Sequence, residues 1–465
     1  MLELSIIYLE HIMDFTRTPI YTALLEYKAA ERYHMPGHKG RLEGYFSKIA
    51  PLDITELNFS DNLFMPQGII KDAQALLSLA CGSYACFMLT DGASLGITVM
   101  LGAIVGKGSK LLCARNIHRS VTDACVLFDI EPVFLPQSIN EFGELLPIDA
   151  LSLEQAIIKN ADVKAVLVTS PDYFGRITPL EQLAKVAHKH NILLLVDEAH
   201  GAHLPYFEEL LHMGAAMAGA DAWVQSMHKT MGALTQGALL HIGNEKFKEK
   251  IQLLLPLCCT SSPSYLIMAS IDLSRKHFQC DIDKNAFINK IKELRQNINL
   301  IKGLRLLPEA QIDITRLTID VRERCSGYIA ENYLRECDII IEMADAHNIV
   351  LILTPFDTSY TPLIEALEKL PYMPQEIALP SLPSLPALAC SPREAALGKV
   401  ELVAFEESVG RIAAVNIGSY PPGIPLFCCG ERIEAAAIEY LLALKKQNCT
   451  VFGLQQEKIA VVKRG

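Results

Sequence analysis

Four short stretches of this chain place chemically capable side chains just after apolar runs. Lys229 stands in "VQSMHKTMG" (224–232), with Ser226 and His228 before it and Gly232 behind; a surface lysine needs no such company. Asp197 ends the run "ILLLVDE" (192–198). A carboxylate there is costly to bury without a cationic or hydrogen-bonding partner, although a helix N-cap also accounts for it. Gly92, Ala93 and Ser94 in "TDGASLG" open an apolar helical run. Their backbone N–H groups and the Ser94 hydroxyl can cradle a phosphate at a helix N-terminus, and a plain tight turn explains the same glycine. His118 in "RNIHRS" reads either as a ring lying flat on a planar ligand or as a satisfied surface histidine.

Taken together, these groups match the needs of pyridoxal 5′-phosphate (PLP). The cofactor requires an amine to condense with its aldehyde, a carboxylate to keep its ring nitrogen protonated, anion donors for its phosphate and a group to stack on its ring. Lys229 supplies the amine and Asp197, 32 residues earlier, the carboxylate. Gly92, Ala93, Ser94, Ser226 and His228 supply phosphate donors, and His118 the stacking face.

Elements that could deliver these groups are visible in the hydrophobic pattern. Short apolar runs at 86–89, 110–114, 132–136, 164–170, 192–198 and 222–226 read as strands buried on both faces, and "LEQLAKVAHKHN" between two of them reads as a crossover helix. The pattern predicts an α/β domain with a mostly parallel sheet, whose ligands collect beyond the carboxyl ends of strands. The expected division is an N-terminal arm (1–60) with a helical "TPIYTALLEYKAAERY", a large domain (61–300) and a smaller C-terminal α+β domain (301–465). Within the last, the proline-rich 370–395 reads as an extended surface arm. "GSYPPGIPLFCCGE" reads as a rigid turn, neither regular helix nor central strand.

The 465 residues are half hydrophobic and only 20% charged, which suits a large globular enzyme rather than a disordered chain. A net charge of −11 argues against general binding to nucleic acid or anionic membranes. The thirteen cysteines form no Cys-x-x-Cys, so neither a zinc ribbon nor a redox motif is expected, and no metal site. Scattered thiols, an N-terminus that is a poor signal peptide and the lack of a long uncharged apolar run predict a cytoplasmic protein.

The motifs resemble those of the Orn/Lys/Arg decarboxylases, fold-type-I (aspartate aminotransferase-like) PLP enzymes, in the short form without an N-terminal wing domain. The resemblance rests on "TPIYTALLEY", "HMPGHKG", "DITELNFSDNL", "RNIHRS", "DEAHGAH", "QSMHKTMGALTQGALLH", "TSSPSYLIMAS", "SPREA" and "YPPGIP". It implies a PLP-transferase-like large domain, Lys229 as the covalent anchor, Asp197 on the pyridine nitrogen and His118 on the ring. It also implies phosphate contacts from Ala93, Ser94, Ser226 and His228, with His200 near the cofactor. A homodimer or larger homo-oligomer with shared active sites is implied as well, "TSSPSY" (260–265) reaching across. The implied reaction is α-decarboxylation of lysine, arginine or ornithine, a step of polyamine biosynthesis, with Lys229 or His200 as proton donor.

Several positions depart from the family pattern. The glycine turn reads Asp91-Gly92-Ala93-Ser94, Asp172 stands where Thr is common, and Val415 and Ser419 replace an acid and a proline near "YPPGIP". The missing acid leaves the reader of a distal cation open among Glu342, Asp345, Asp357, Glu406 and Glu407, each of which reads first as a solvated surface acid. Arg411 reads as a carboxylate binder or as half of an ion pair. Other PLP reactions (transamination, retro-aldol cleavage, β-elimination), a non-basic substrate and a catalytically silent regulatory homologue are the alternatives.

Overall fold

The computed structural model describes residues 14–28, 30–140, 145–308, 311–374, 383–420, 423–446 and 449–463. Seven apolar segments form one sheet: β1 (Ala85–Leu89), β2 (Lys110–Ala114), β3 (Glu131–Leu135), β4 (Val163–Thr169), β5 (Leu193–Asp197), β6 (Ala222–Ser226) and β7 (Ala238–Ile242), in the order β1-β7-β6-β5-β4-β2-β3. β2 runs parallel to β3 and β4, and β5 parallel to β6. β7 is antiparallel to both its neighbours. Six of these strands are the six runs expected from the sequence. The seventh, "ALLHI", escapes that reading because His241 interrupts its apolar run. The ring is nevertheless fully buried, stacked at 5.1 Å on Trp223.

By its contacts the chain divides into two units. The first comprises Met1–Ile104 and Leu195–Asp283. Here helix Gly92–Ile104 packs on β1 and β6 so closely that a Cβ at Gly96 would lie 2.7 Å from Leu89 Cδ1 and 2.8 Å from Val224 Cγ1. That approach fixes the N-terminus of the helix directly above the strand ends. The N-terminal helix stops at Tyr27, short of the expected stretch. It is held by Asp272, which accepts from Ile20 N (3.0 Å), and by Arg275, which donates to Phe15 O (2.7 Å).

The second unit comprises Val105–Leu194 and Lys284–Gly465. β2, β3 and β4 are joined there by helices Arg119–Phe128 and Ala150–Lys159, and helix Leu180–Lys189 is the crossover read from "LEQLAKVAHKHN". An antiparallel sheet follows, formed by β8 (Arg305–Leu306), β9 (Arg316–Asp320), β10 (Met343–Ala344) and β11 (Asn348–Ile352) in the order β10-β11-β9-β8. Two three-stranded sheets complete the unit: β12 (Val400–Ala404) with β17 (Lys458–Val462) and β16 (Leu454–Gln455), and β13 (Ile417–Tyr420) between β14 (Pro425–Phe427) and β15 (Thr450–Phe452).

The last sheet corrects the reading of "GSYPPGIPLFCCGE" as turn only. Gly418, Ser419 and Tyr420 lie in its central strand, and Pro425 opens an edge strand, where a missing N–H costs no ladder bond. Pro421 and Pro422 lie outside the described residues, as do 375–382 of the expected proline-rich arm. "SPREA" at the end of that arm is helical: Pro392–Leu397, closed by a reciprocal capping box between Ser391 and Glu394.

Candidate functional site

The sequence-selected groups sit at the carboxyl ends of β1, β2, β5 and β6. Those after β5 and β6 are linked through the loop after β5. Its backbone is tied to β6 by Glu198 N donating to Val224 O (2.9 Å) and Ser226 N donating to Ala199 O (3.4 Å). The loop thereby brings His200 Nε2 to 3.1 Å from Lys229 Nζ. Lys229 lies in a single helical turn, Met227–Thr230, and the chain leaves it through Gly232 at φ +78°. Asp197 is buried and accepts from Ala199 N (3.1 Å) through Oδ1.

His228 donates Nδ1–H to Gly237 O (3.2 Å), which leaves Nε2 for a second partner. Burial lowers its pKa, and the Lys229 charge lowers it further. Nε2 can donate to an anion only when the ring is protonated, and a bound anion would oppose both of those effects. At the end of β1, Gly92 adopts φ +83°, and its N–H donates to Gln236 O (3.0 Å). The donors facing a ligand are therefore the first-turn amides after Gly92, which have no intrahelical partner, and the exposed Ser94 hydroxyl.

These residues fit PLP. A Cβ at Gly92 would meet nothing within 4 Å, so the helix N-terminus opens onto free space. Thr230, next to the lysine, buries a hydroxyl with no hydrogen-bond partner among the described residues. An amine, a buried carboxylate and anion donors at a helix N-terminus are the donor set that an aldehyde-bearing pyridine phosphate needs.

His118 belongs to the second unit. It caps helix Arg119–Phe128, its Nδ1 accepting from Ser120 N (3.2 Å) and lying 2.8 Å from Ser120 Oγ. The cap fixes the ring through one nitrogen. Three residues earlier, Arg115 is buried in a bidentate pair with Glu431 (2.8 and 2.9 Å) and lies 4.4 Å over the Phe134 ring. Asn416 links helix Arg119–Phe128 to the C-terminal segment by donating to Thr122 Oγ1 (2.6 Å) and accepting from Cys429 N (3.1 Å).

Val415, beside it, is half-buried against the apolar cluster of Phe405, Ile417 and Phe427. Asp172 is buried after β4, where its Oδ1 accepts from Phe174 N and Arg176 N (both 2.9 Å) and organises the turn. Among the distal acids, Asp345 accepts from His347 N and Asn348 N (both 2.7 Å), and Asp357 accepts from Thr354 N (2.8 Å). Both therefore have local structural roles. Glu342 accepts from the Tyr173 hydroxyl, while Glu406 and Glu407 are exposed on a 3₁₀ turn. Arg411 pairs with Glu401 and donates to Val462 O (2.9 Å).

Two features of the site were not singled out in the sequence. Glu198, directly after Asp197, is a second fully buried acid, and it accepts from Gln225 Nε2 (2.7 Å). Its signal was present, since "LVDE" ends an apolar strand with two carboxylates where one would do. The Arg115–Glu431 pair spans 316 residues of sequence, and no local pattern announces it.

Residues 18–321 match the family model described as "Orn/Lys/Arg decarboxylase, major domain", and residues 378–463 match "Orn/Lys/Arg decarboxylase, C-terminal domain". The chain is 32% identical to an arginine decarboxylase of Bacillus subtilis, over 97% of this chain and 98% of that one. It is 34% identical to an arginine decarboxylase of Bacillus anthracis, over 91% and 92%. The solved lysine decarboxylase LdcF of Francisella novicida superposes with a TM-score of 0.85 at 21% identity, covering 96% of this chain and 81% of that one. Its likeness is one of fold.

Proposed function

Since the chain belongs to the Orn/Lys/Arg decarboxylase family of PLP-dependent amino-acid decarboxylases, we propose that it removes the α-carboxylate of a basic amino acid, arginine foremost. The observation that carries this reading is the pairing of Lys229 Nζ with His200 Nε2, on the loop that follows Asp197. Arginine is favoured because relatives of that name share 32–34% identity over nearly the whole chain.

When bound, PLP supplies an electron-accepting pyridinium that takes up the electron pair left by departing carbon dioxide. The chain's residues do the rest. Lys229 would be the residue that anchors the cofactor, through Nζ. Asp197, buried at the end of β5, would be the carboxylate that pairs with the ring nitrogen and keeps it protonated. Ala93, Ser94, Ser226 and His228 would hold the phosphate, Gly92 sets the turn that presents the first two, and His118 would be the residue to cover the ring. Lys229 Nζ would be the proton donor to the α-carbon, and His200 Nε2, 3.1 Å from it, would be placed to exchange a proton with that amine.

A second reading, a non-basic substrate, is favoured by one observation: Val415 packs against an apolar cluster where an acid was expected. Amine products from a panel of arginine, lysine, ornithine and neutral amino acids decide between the two. The expected result is arginine turnover at a kcat/KM at least about tenfold above the others, the scale of discrimination that side-chain recognition supplies. Turnover of neutral substrates alone would overturn it.

The active enzyme is further read as a homodimer. Tyr33, Met35, Tyr45, Phe46 and Met65 are exposed along one N-terminal stretch, at 95, 67, 87, 64 and 70%, and burying such side chains against a second copy would favour association. Thr260, Ser261 and Ser262 of the crossing segment are exposed as well. Light scattering of the active protein is expected to give twice the mass of the chain; a fully active monomer would contradict shared sites. No helix among the described residues is long and apolar enough to cross a membrane. The thirteen free thiols support a reducing compartment, the cytoplasm.

A further inference from the structure

Behind Asp197 lies a buried polar chain that the decarboxylation chemistry does not use. Glu198 Oε1 accepts from Ala215 N (2.7 Å), and Oε2 accepts from Gln225 Nε2 (2.7 Å). Gln225 Oε1 lies 3.1 Å from His241 Nε2, and His241 Nδ1 lies 3.0 Å from Ser83 Oγ. Glu198, Gln225 and His241 are all at most 1% exposed. The chain begins at the neighbour of Asp197 and passes through the neighbour of Ser226, so it ties together the two strand ends that carry the site.

Each link can run in either direction. With Glu198 ionised, Ser83 donates to His241 Nδ1, His241 donates Nε2–H to Gln225 Oε1, and Gln225 donates to Glu198. With Glu198 protonated, its O–H donates to a flipped Gln225 amide, Gln225 donates to His241 Nε2, and His241 donates Nδ1–H to Ser83. The hydroxyl can then turn toward Ser78, whose Oγ is 3.1 Å away. Every group is satisfied in both states and His241 stays neutral in both. A half-reversed chain would leave two donors or two acceptors facing each other in the core.

We propose that Glu198 is a proton-responsive positioning residue, whose protonation reverses the polarity of the Glu198–Gln225–His241–Ser83 chain and so resets the strand ends bearing Asp197 and Ser226. The proposal rests on the placement of Asp197 and Ser226 in the cofactor site. The groups facing the chain are few. Asp197 directly precedes Glu198 at the end of β5, Cys81 Sγ, at the C-cap of helix Ile69–Ala80, is 3.8 Å from Gln225 Oε1, and Tyr206 OH is 3.9 Å from that sulfur. Arg275 on helix Tyr265–Lys276 acts on Cys81 and Tyr206. Burial pushes the Glu198 carboxyl up to about 8, with Asp197 adding to the rise, and holds His241 down to about 3. The switch therefore lies with the glutamate.

Glu198→Gln imitates the protonated state: its amide oxygen can accept from Ala215 N and its NH₂ can donate to the flipped Gln225. Nitrogen-15 NMR of histidine-labelled protein without cofactor reads the His241 tautomer directly. The expected wild-type result is a change from Nδ1–H to Nε2–H with a midpoint at about pH 8, and Nδ1–H throughout in E198Q. Difference infrared spectra of the wild type should lose a protonated-carboxyl band over the same range, a readout that stands if the variant fails to fold. In the loaded enzyme, the pH profile of kcat should lose that ionisation in E198Q.

Stability supplies a further sign. Because the folded pKa is raised, the stabilisation is present below the unfolded carboxyl value and is lost as pH rises through about 8. E198Q is therefore expected to resist unfolding better than wild type above that pH. A tautomer that does not move in the wild type, or moves identically in E198Q, would overturn the proposal. A decarboxylase inactive on every substrate tested, with the tautomer change intact, would instead count against the substrate reading alone.

Discussion

Replacing Lys229 by alanine is expected to lower amine formation by at least about 10³-fold, because one side chain supplies both the covalent anchor and a proton donor, each large in its own right. The protein should remain folded: the lysine is half-buried, and alanine is the best helix former for the short turn Met227–Thr230. His200 loses its 3.1 Å partner but stays within its loop, whose backbone is tied to β6 independently of the lysine. The visible absorbance of lysine-bound cofactor, near ~420 nm, should vanish while PLP added in excess remains free. Lys229→Arg is expected to fare no better, since guanidinium keeps the charge but is not a nucleophilic amine at neutral pH. Spectra of the purified variants after PLP addition check this, and a surviving visible band in K229A would remove Lys229 from its assigned place.

The parts of this architecture that local chemistry dictates were legible in the sequence. Six sheet strands show themselves as apolar runs; four are central strands covered on both faces, and β1 and β3 lie at the sheet's edges. Asp197 and Lys229 stand out because a charged group at the end of such a run needs a reason. The seventh strand was hidden by His241, a polar residue whose burial depends on Gln225, Ser83 and the Trp223 ring, none adjacent to it in sequence. "GSYPPGIPLF" misled in the opposite direction. Its prolines announce a turn, yet β13 lies inside a sheet because the strands on either side come from Pro425–Phe427 and Thr450–Phe452. His118 was left between ligand face and surface residue, and its capping bond to Ser120, two positions on, was the local signal available. The occupied states of Asp345 and Asp357 arise from turns that no spacing rule specifies.

The largest stability effect is expected from Glu431. It is 1% exposed and accepts two bonds from Arg115, at 2.8 and 2.9 Å, and a third from Cys428 N at 2.6 Å. Glu431→Ala would leave a buried guanidinium and a buried N–H without that acceptor, a change that costs about 3–5 kcal/mol for a broken buried ion pair. Glu431→Gln keeps one acceptor oxygen but turns an NH₂ toward Arg115, so its cost should approach that of the alanine variant. Replacing both partners by apolar residues, Arg115→Met with Glu431→Leu, removes the stranded charge and should recover much of the loss. The effect should also reach the loop that carries His118, because Arg115 N and Asn116 N both donate to Gln137 Oε1 (2.6 and 3.1 Å) at the end of β2. Urea unfolding of the four proteins, followed by fluorescence and by hydrogen exchange at residues 115–120, measures both effects. A Glu431→Ala variant as stable as wild type, or a double variant less stable than either single one, would show that the pair is not what anchors this end of the strand.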